Sequence, residues 1–186
     1  MAKNFFKNTN CKKLLENIDN ILMWENITVS DYSPGKVLNS EIIGRQIHSP
    51  IHINEEKPNQ LNNFAFEDMI NKGLSINRFK YSHKSDLHKR GREKAENDRL
   101  GKNASQKPKP ERKYIGLAIA NVKEIRDTFE EEKRCFTIYD TASSDCPSHA
   151  DLYCIFTKCR TELVKTRQAR KLQKIFSTIE YDPEVK

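Results

Sequence analysis

Between Glu41 and His52 the chain reads EIIGRQIHSPIH, which sets Arg45, His48 and His52 on a short apolar segment closed by a Pro-containing turn. An arginine grips a phosphate through two parallel hydrogen bonds, and a histidine titrating near neutrality gives or takes a proton. The same residue types recur downstream, as Ser75 and Arg78 in LSINR and as His149 with Asp151 in HADLY. Arg45, His48, His52, Ser75, Arg78, His149 and Asp151 therefore form a candidate catalytic set for work on an anion. The chemistry would be cleavage of a phosphodiester without a metal, or the handling of a dinucleotide pyrophosphate. Each residue also has a structural reading: an ion pair for Arg45, turn caps for the histidines. The chain carries no GxGxxG, P-loop, HExxH or nucleophile elbow, so no well-specified enzyme signature points elsewhere.

A second constellation overlaps the first. Cys146, His149, Cys154 and Cys159 have two, four and four intervening residues, the spacing of a zinc knuckle, and cysteine and histidine suit tetrahedral zinc. The ligand order is Cys-His-Cys-Cys in place of Cys-Cys-His-Cys, and Cys154 sits in LYCIF, which reads as a strand. The main reading needs no cofactor, and zinc is the alternative.

The elements that must position these residues follow from periodicity. Ile42 to Ile47 reads as a strand, with Gly44 where a bulge or a close backbone approach would sit. Alternation puts Arg45 with Ile47 on one face and Gln46 with His48 on the other, so Arg45 and His48 diverge unless Gly44 or the turn intervenes. Ser49-Pro50 stops the strand. A second strand, LSINRFKY over 74–81, aligns Arg78 with Leu74 and Ile76, and a charge on a core-facing row must be paired or bind an anion. KYIGLAIANV, RCFTIYD and HADLYCIF read as further strands, the first of them central, with a helix from about Val122 to Glu132 and a turn-rich loop over Thr141–Ser148.

Apolar spacing predicts an amphipathic helix through Leu14, Leu15, Ile18, Ile21 and Leu22 towards Trp24, and a short one from Leu61 to Ile70 stopped by Gly73. The polar run over 53–60 reads as a loop. Residues 82–100 favour helix but offer only Leu87, Ala95 and Leu100 for burial, and 101–112 has linker composition. A basic helix closes the chain over 158–177. The expected architecture is a single α+β domain over residues 1–186. It has a mixed sheet of about four to six strands flanked by helices, and a basic, mobile insertion at 82–112.

Charge points to a partner. The 186 residues carry a formal charge of +7, and Phe79–Lys113 holds twelve Lys or Arg against five Asp or Glu, an excess equal to that of the whole chain. Lys84, Lys89, Arg90, Arg92, Lys107 and Lys109 in this insertion are candidate nucleic-acid contacts. Arg167, Arg170, Lys171 and Lys174 on the last helix join them. No apolar run approaches the ~20 residues that span a bilayer, and the start lacks a signal peptide, so no membrane association and a cytoplasmic location are expected. Five cysteines, an odd number, then favour free thiols. The leading expectation is an RNA- or DNA-binding protein of microbial, toxin or defence type, capable of metal-independent cleavage. A non-enzymatic subunit that docks a protein through its first or last helix is an alternative.

Two resemblances accompany these residues. The succession RQIHSPIH, GLSINR and YDTASSDCPSHADLY looks like a pattern in small, mostly uncharacterised bacterial proteins. An Arg or His on an early strand followed by a Ser-containing strand is also similar to ADP-ribosyltransferase cores. That similarity implies an NAD-using enzyme in which Arg45 or His48 and Ser75 hold the dinucleotide, with the later-strand acid falling to Asp140 or Asp151.

Overall fold

The computed structural model describes residues 16, 18–54, 56–102, 107–156 and 161–184. Its frame is one six-stranded sheet built from β1 (Ile42–Ser49), β4 (Leu74–Arg78), β5 (Lys113–Asn121), β8 (Phe136–Tyr139), β9 (His149–Cys154) and β10 (Thr178–Tyr181), in the order β10-β5-β1-β4-β9-β8. The α+β class is as expected, but every pairing is antiparallel where a mixed sheet was expected. The 53–61 stretch is a hairpin of β2 (Ile53–Asn54) and β3 (Lys57–Leu61) in place of the expected loop, and β6 (Phe129–Glu130) and β7 (Lys133–Arg134) form another. The predicted first helix is seen as α1 (Ile18–Glu25), and its start falls outside the described residues. Among those residues no helix is long and apolar enough to cross a membrane.

Strand alternation sorts the side chains into two faces. Ile43, Ile47, Leu74, Ile76, Ala118, Ala120, Ile138 and Leu152 share the first. Phe66 and Met69 of the 3-10 helix Asn63–Ile70 cover it, together with Ala169 and Leu172 of α4 (Glu162–Ile175). The second face has two covers. Over β8 and β9, α1 packs Ile21 and Trp24 on Tyr139 and Tyr153. Over β1 and β5 lies α2 (Lys84–Leu100).

The basic insertion is therefore packed over its helical part. Leu87 and Ala95 supply the apolar contacts foreseen, while His88, Gly91 and Asp98 are buried as well. A Cβ on Gly91 would meet the Tyr114 ring at 2.3 Å, so the glycine sets how closely helix and strand approach. Gly44 plays the same part for β1, where a Cβ would strike Phe79 at 2.4 Å. Arg92 fixes α2 from its other side through Asp182 (2.7 Å) and Glu184 (2.8 Å), just after β10.

The outer edge of the sheet is tied by a single carboxylate. Glu25 accepts from Arg126 Nε of the short helix α3 (Val122–Arg126) at 2.9 Å, from Arg134 at 2.8 Å and from the backbone N–H of Ile138 on β8 at 2.9 Å.

Candidate functional site

β1 and β4 are paired only where Ile43 and Gly44 face Arg78 and Asn77. Beyond that point β1 runs on through Arg45–Ser49 against β5 alone. A cleft of about 780 Å³ opens beside this stretch. Arg45 and His48 leave β1 on opposite faces, as alternation requires, and the cleft still receives both. His52 joins them after a turn that contains the cis Ser49–Pro50 bond. Ser75 and Asn77 come from β4, Lys94 and Asp98 from α2, and Lys109 and Arg112 from the segment before β5.

Arg45 is the most unusual of these groups. Its side chain is buried, 6% exposed, yet it makes one hydrogen bond, from a guanidinium nitrogen to the Ser75 carbonyl at 3.0 Å. Its Nε has no acceptor, and it forms no ion pair among the described residues. Burial lowers its pKa to about 10, against the longer-range pull of Asp68 and Asp151, so it stays charged at neutral pH. A guanidinium carries five N–H donors, and leaving them unmet in a buried site is costly. The Arg112 Nε, on the same cleft, is likewise buried without an acceptor, although its guanidinium lies 3.7 Å from Asp98.

Both cleft histidines are neutral at physiological pH. His48 is pushed down to about 4, first by burial and then by Lys94. Its Nε2 lies 3.3 Å from the Gly91 carbonyl, which can only accept, so the proton is on Nε2. His52 is pushed lower still by burial and by Arg45. Its Nδ1 accepts the His48 N–H at 3.1 Å, which places its proton on Nε2. Neither imidazole competes with a ligand for positive charge, and both present a wall to the cleft. Lys94, crowded by protein and by Arg45, is also shifted down.

Ser75 belongs to a second set of contacts on the uncovered strip of the second face, between α1 and α2. Register sets Ser75 opposite Asp151 and Asn77 opposite His149. The Ser75 hydroxyl is 3.1 Å from His149 Nε2. On the other side of the ring, Nδ1 is 3.0 Å from Thr141 Oγ1 and 3.3 Å from the Thr141 carbonyl. Thr141 Oγ1 in turn donates to Asp151 Oδ2 at 2.8 Å. Because the carbonyl can only accept, Nδ1 carries the proton and Nε2 is free to accept from Ser75. Burial pushes the Asp151 carboxyl upward against the pull of His149.

Of the seven candidate catalytic residues, Arg45, His48, His52 and Ser75 line the cleft, and His149 and Asp151 join through Ser75. Arg78 does not. It is fully buried and saturated: Nε and Nη2 donate to Glu41 at 2.7 Å, Nη1 and Nη2 donate to the Gly35 and Lys36 carbonyls at 2.6 and 2.9 Å, and Asp140 lies 3.5 Å away. Paired this way, it pins the 35–41 loop to the sheet. Thr141, Asn77, Lys94, Asp98 and Arg112 are the positions sequence reading missed. The signal available for Thr141 was its place just after one strand of the β8–β9 hairpin, within reach of Asp151 on the other.

The basic residues divide. Lys109 lines the cleft, and Lys89 and Lys107 are exposed. Lys84 is tied to Glu180, Arg92 to Asp182 and Glu184, and Arg90 contacts the Cys146 sulfur at 2.7 Å. On α4, which lies across the sheet from α2, Arg167 and Lys171 pair with Glu130, while Arg170 and Lys174 are exposed. The alternative zinc set is not assembled among the described residues. His149 is held by Ser75 and Thr141, Cys154 sits five residues along β9 opposite Phe136, and Cys159 lies outside those residues. No family model matches the chain, and comparison with curated proteins and with solved structures gives no match either.

Proposed function

We propose that the chain binds nucleic acid by taking a phosphate of the strand into the cleft against Arg45. The observation that carries this reading is the buried Arg45 guanidinium held by a single hydrogen bond. A phosphate would supply the missing acceptors and the missing counter-charge together. Lys94, Lys109 and Arg112 add positive charge around the same opening, and the exposed Lys89 and Lys107 extend it along the insertion. Glu67, Asp68 and Asp98 also line the cleft, with Asp98 3.7 Å from Arg112 and Asp68 3.6 Å from Lys72, and none of them forms an ion pair with Arg45 among the described residues.

The test is anisotropy of labelled single- and double-stranded RNA and DNA at two salt concentrations. Binding should weaken steeply with salt, and Arg45→Met should reduce affinity at least about tenfold, which corresponds to about 1.4 kcal/mol. Binding that ignores salt, or is unchanged by the substitution, would remove the reading.

A second reading has its own support in the placing of Arg45, His48 and Ser75 on the wall of one cleft, the residues to which the similarity to ADP-ribosyltransferase cores gives the dinucleotide. A volume of about 780 Å³ is within the range of small-molecule sites. On that reading millimolar NAD raises the melting temperature and an oligonucleotide does not.

A further inference from the structure

We infer that Ser75 is a nucleophile, activated by His149 and supported by Thr141 and Asp151, that attacks the phosphorus of a phosphodiester held in the cleft. The inference rests on the phosphate-binding reading above and adds a reaction to it. Its ground is the direction of the hydrogen bonds. The Thr141 carbonyl fixes the proton of His149 on Nδ1, so Nε2 meets the Ser75 hydroxyl as an acceptor 3.1 Å away. The Thr141 hydroxyl accepts from that Nδ1–H and donates its own hydrogen bond to Asp151. Every bond in the series therefore points from Ser75 towards the carboxylate, the arrangement a serine needs to lose its proton. Asp151 Oδ1 also lies 3.8 Å from Nε2, where it favours the imidazolium formed at that moment.

Burial does not demand this order. Ser75 is exposed and His149 and Asp151 are partly so, and such groups are satisfied by water without a partner. Yet four side chains from β4, β9 and the loop after β8 are locked into one series. The series ends at the cleft, which Ser75 lines together with Arg45, Lys94 and Arg112, and Arg45, which leaves β1 on the other face of the sheet, reaches the main-chain carbonyl of Ser75. Whole positive charges, in place of a pair of backbone N–H groups, suit the charge of a phosphoryl centre.

In the first step Ser75 Oγ forms a bond to phosphorus as the bond to the leaving oxygen breaks. The serine proton moves to His149 Nε2 and then to the leaving alcohol. Water, giving its proton to His149, then cleaves the phosphoserine ester and restores the hydroxyl. The net reaction is hydrolysis with no redox change. Ser75 and His149 touch the reacting atoms; Thr141 and Asp151 are positioning residues.

The experiment uses the full chain with a fluorophosphonate probe, in which Ser75 Oγ displaces fluoride from phosphorus, and locates the adduct by peptide mass spectrometry. Ser75 should be labelled at least a hundredfold faster than any other serine, and His149→Gln should lower that rate at least a hundredfold. Thr141→Val should keep the melting temperature and displace the pH profile of labelling, which a purely structural threonine would not move. Unlabelled Ser75, or labelling at equal rate in His149→Gln with its fold intact by circular dichroism, overturns the proposal. Calorimetry with inorganic phosphate reads the cleft separately. Binding without labelling sinks the nucleophile alone, and labelling without binding sinks the phosphate site alone.

Discussion

Arg78 and Arg45 sit on neighbouring strands and the same face of one sheet, and both are buried, yet they are opposites chemically. Arg78 has two bonds to Glu41, two to backbone carbonyls, and Asp140 at 3.5 Å, while Arg45 has one bond to a carbonyl. The first is a cation whose counter-charge was supplied within the fold. The second is a cation that the fold leaves with a single hydrogen bond and only the longer-range pull of Asp68 and Asp151. Burial of an arginine is thus no guide to its role; the number of its donors met by the protein is.

Removing the saturated arginine should have the largest effect. Arg78→Met strands the Glu41 carboxylate in the interior and should cost about 3–5 kcal/mol of stability in urea unfolding, a large part of what a domain possesses. A variant as stable as the parent would erase the distinction between the two sites.

Acid should act on the two regions in opposite directions. On the cleft wall, His48 has a folded value of about 4 against 6.5 when unfolded, so between those values the unfolded chain holds the extra proton. Stability falls as pH drops through that window, by on the order of 3 kcal/mol at its end, and His48→Gln should flatten the fall. Beside Arg78, Asp140 is raised by burial to about 6 from 3.8. Here the folded state holds the proton, so its contribution grows as pH falls through about 6 and is lost as pH rises; Asp140→Asn should remove that rise. Unfolding curves at pH 7, 6 and 5 separate the two slopes.

Arg45→Met should give the smallest stability change, at most about 1 kcal/mol in either direction, because it removes a buried charge that has no partner to strand. A loss as large as that of Arg78→Met would mean that Arg45 is structural too.

Much of the frame was legible in the sequence because its strands bury one row or both. The runs around Ile43, Leu74, Leu117 and Leu152 alternate or stay apolar, and α4 carries its stripe at helical spacing. The β2–β3 ribbon was not legible: Lys57, Asn59 and Gln60 are polar and exposed, and only Ile53 and Leu61, at its open end, reach the core. β10 is four residues, TIEY, joined to β5 by register that no local pattern announces. The packing of α2 was hidden because three of the five residues it buries are His88, Gly91 and Asp98, which apolar counting overlooks. The site divides in the same way. Residue type marked Arg45, His48, Ser75 and His149, but only the pairing of Ile43 with Arg78 and of Ser75 with Asp151 decides which arginine meets Glu41 and which histidine meets a hydroxyl.

The carboxylate of Glu25 has a meaning for how separate molecules meet. β8 is an edge strand, and an unpaired edge offers its N–H groups as a template on which another chain can add a strand. Glu25 occupies that position on Ile138 and brings a charge to it, with Arg126 and Arg134 gathered around. One side chain from a helix at the opposite end of the sequence thus acts as a guard against edge-to-edge aggregation, and its loss would be felt as self-association more than as a change in the cleft.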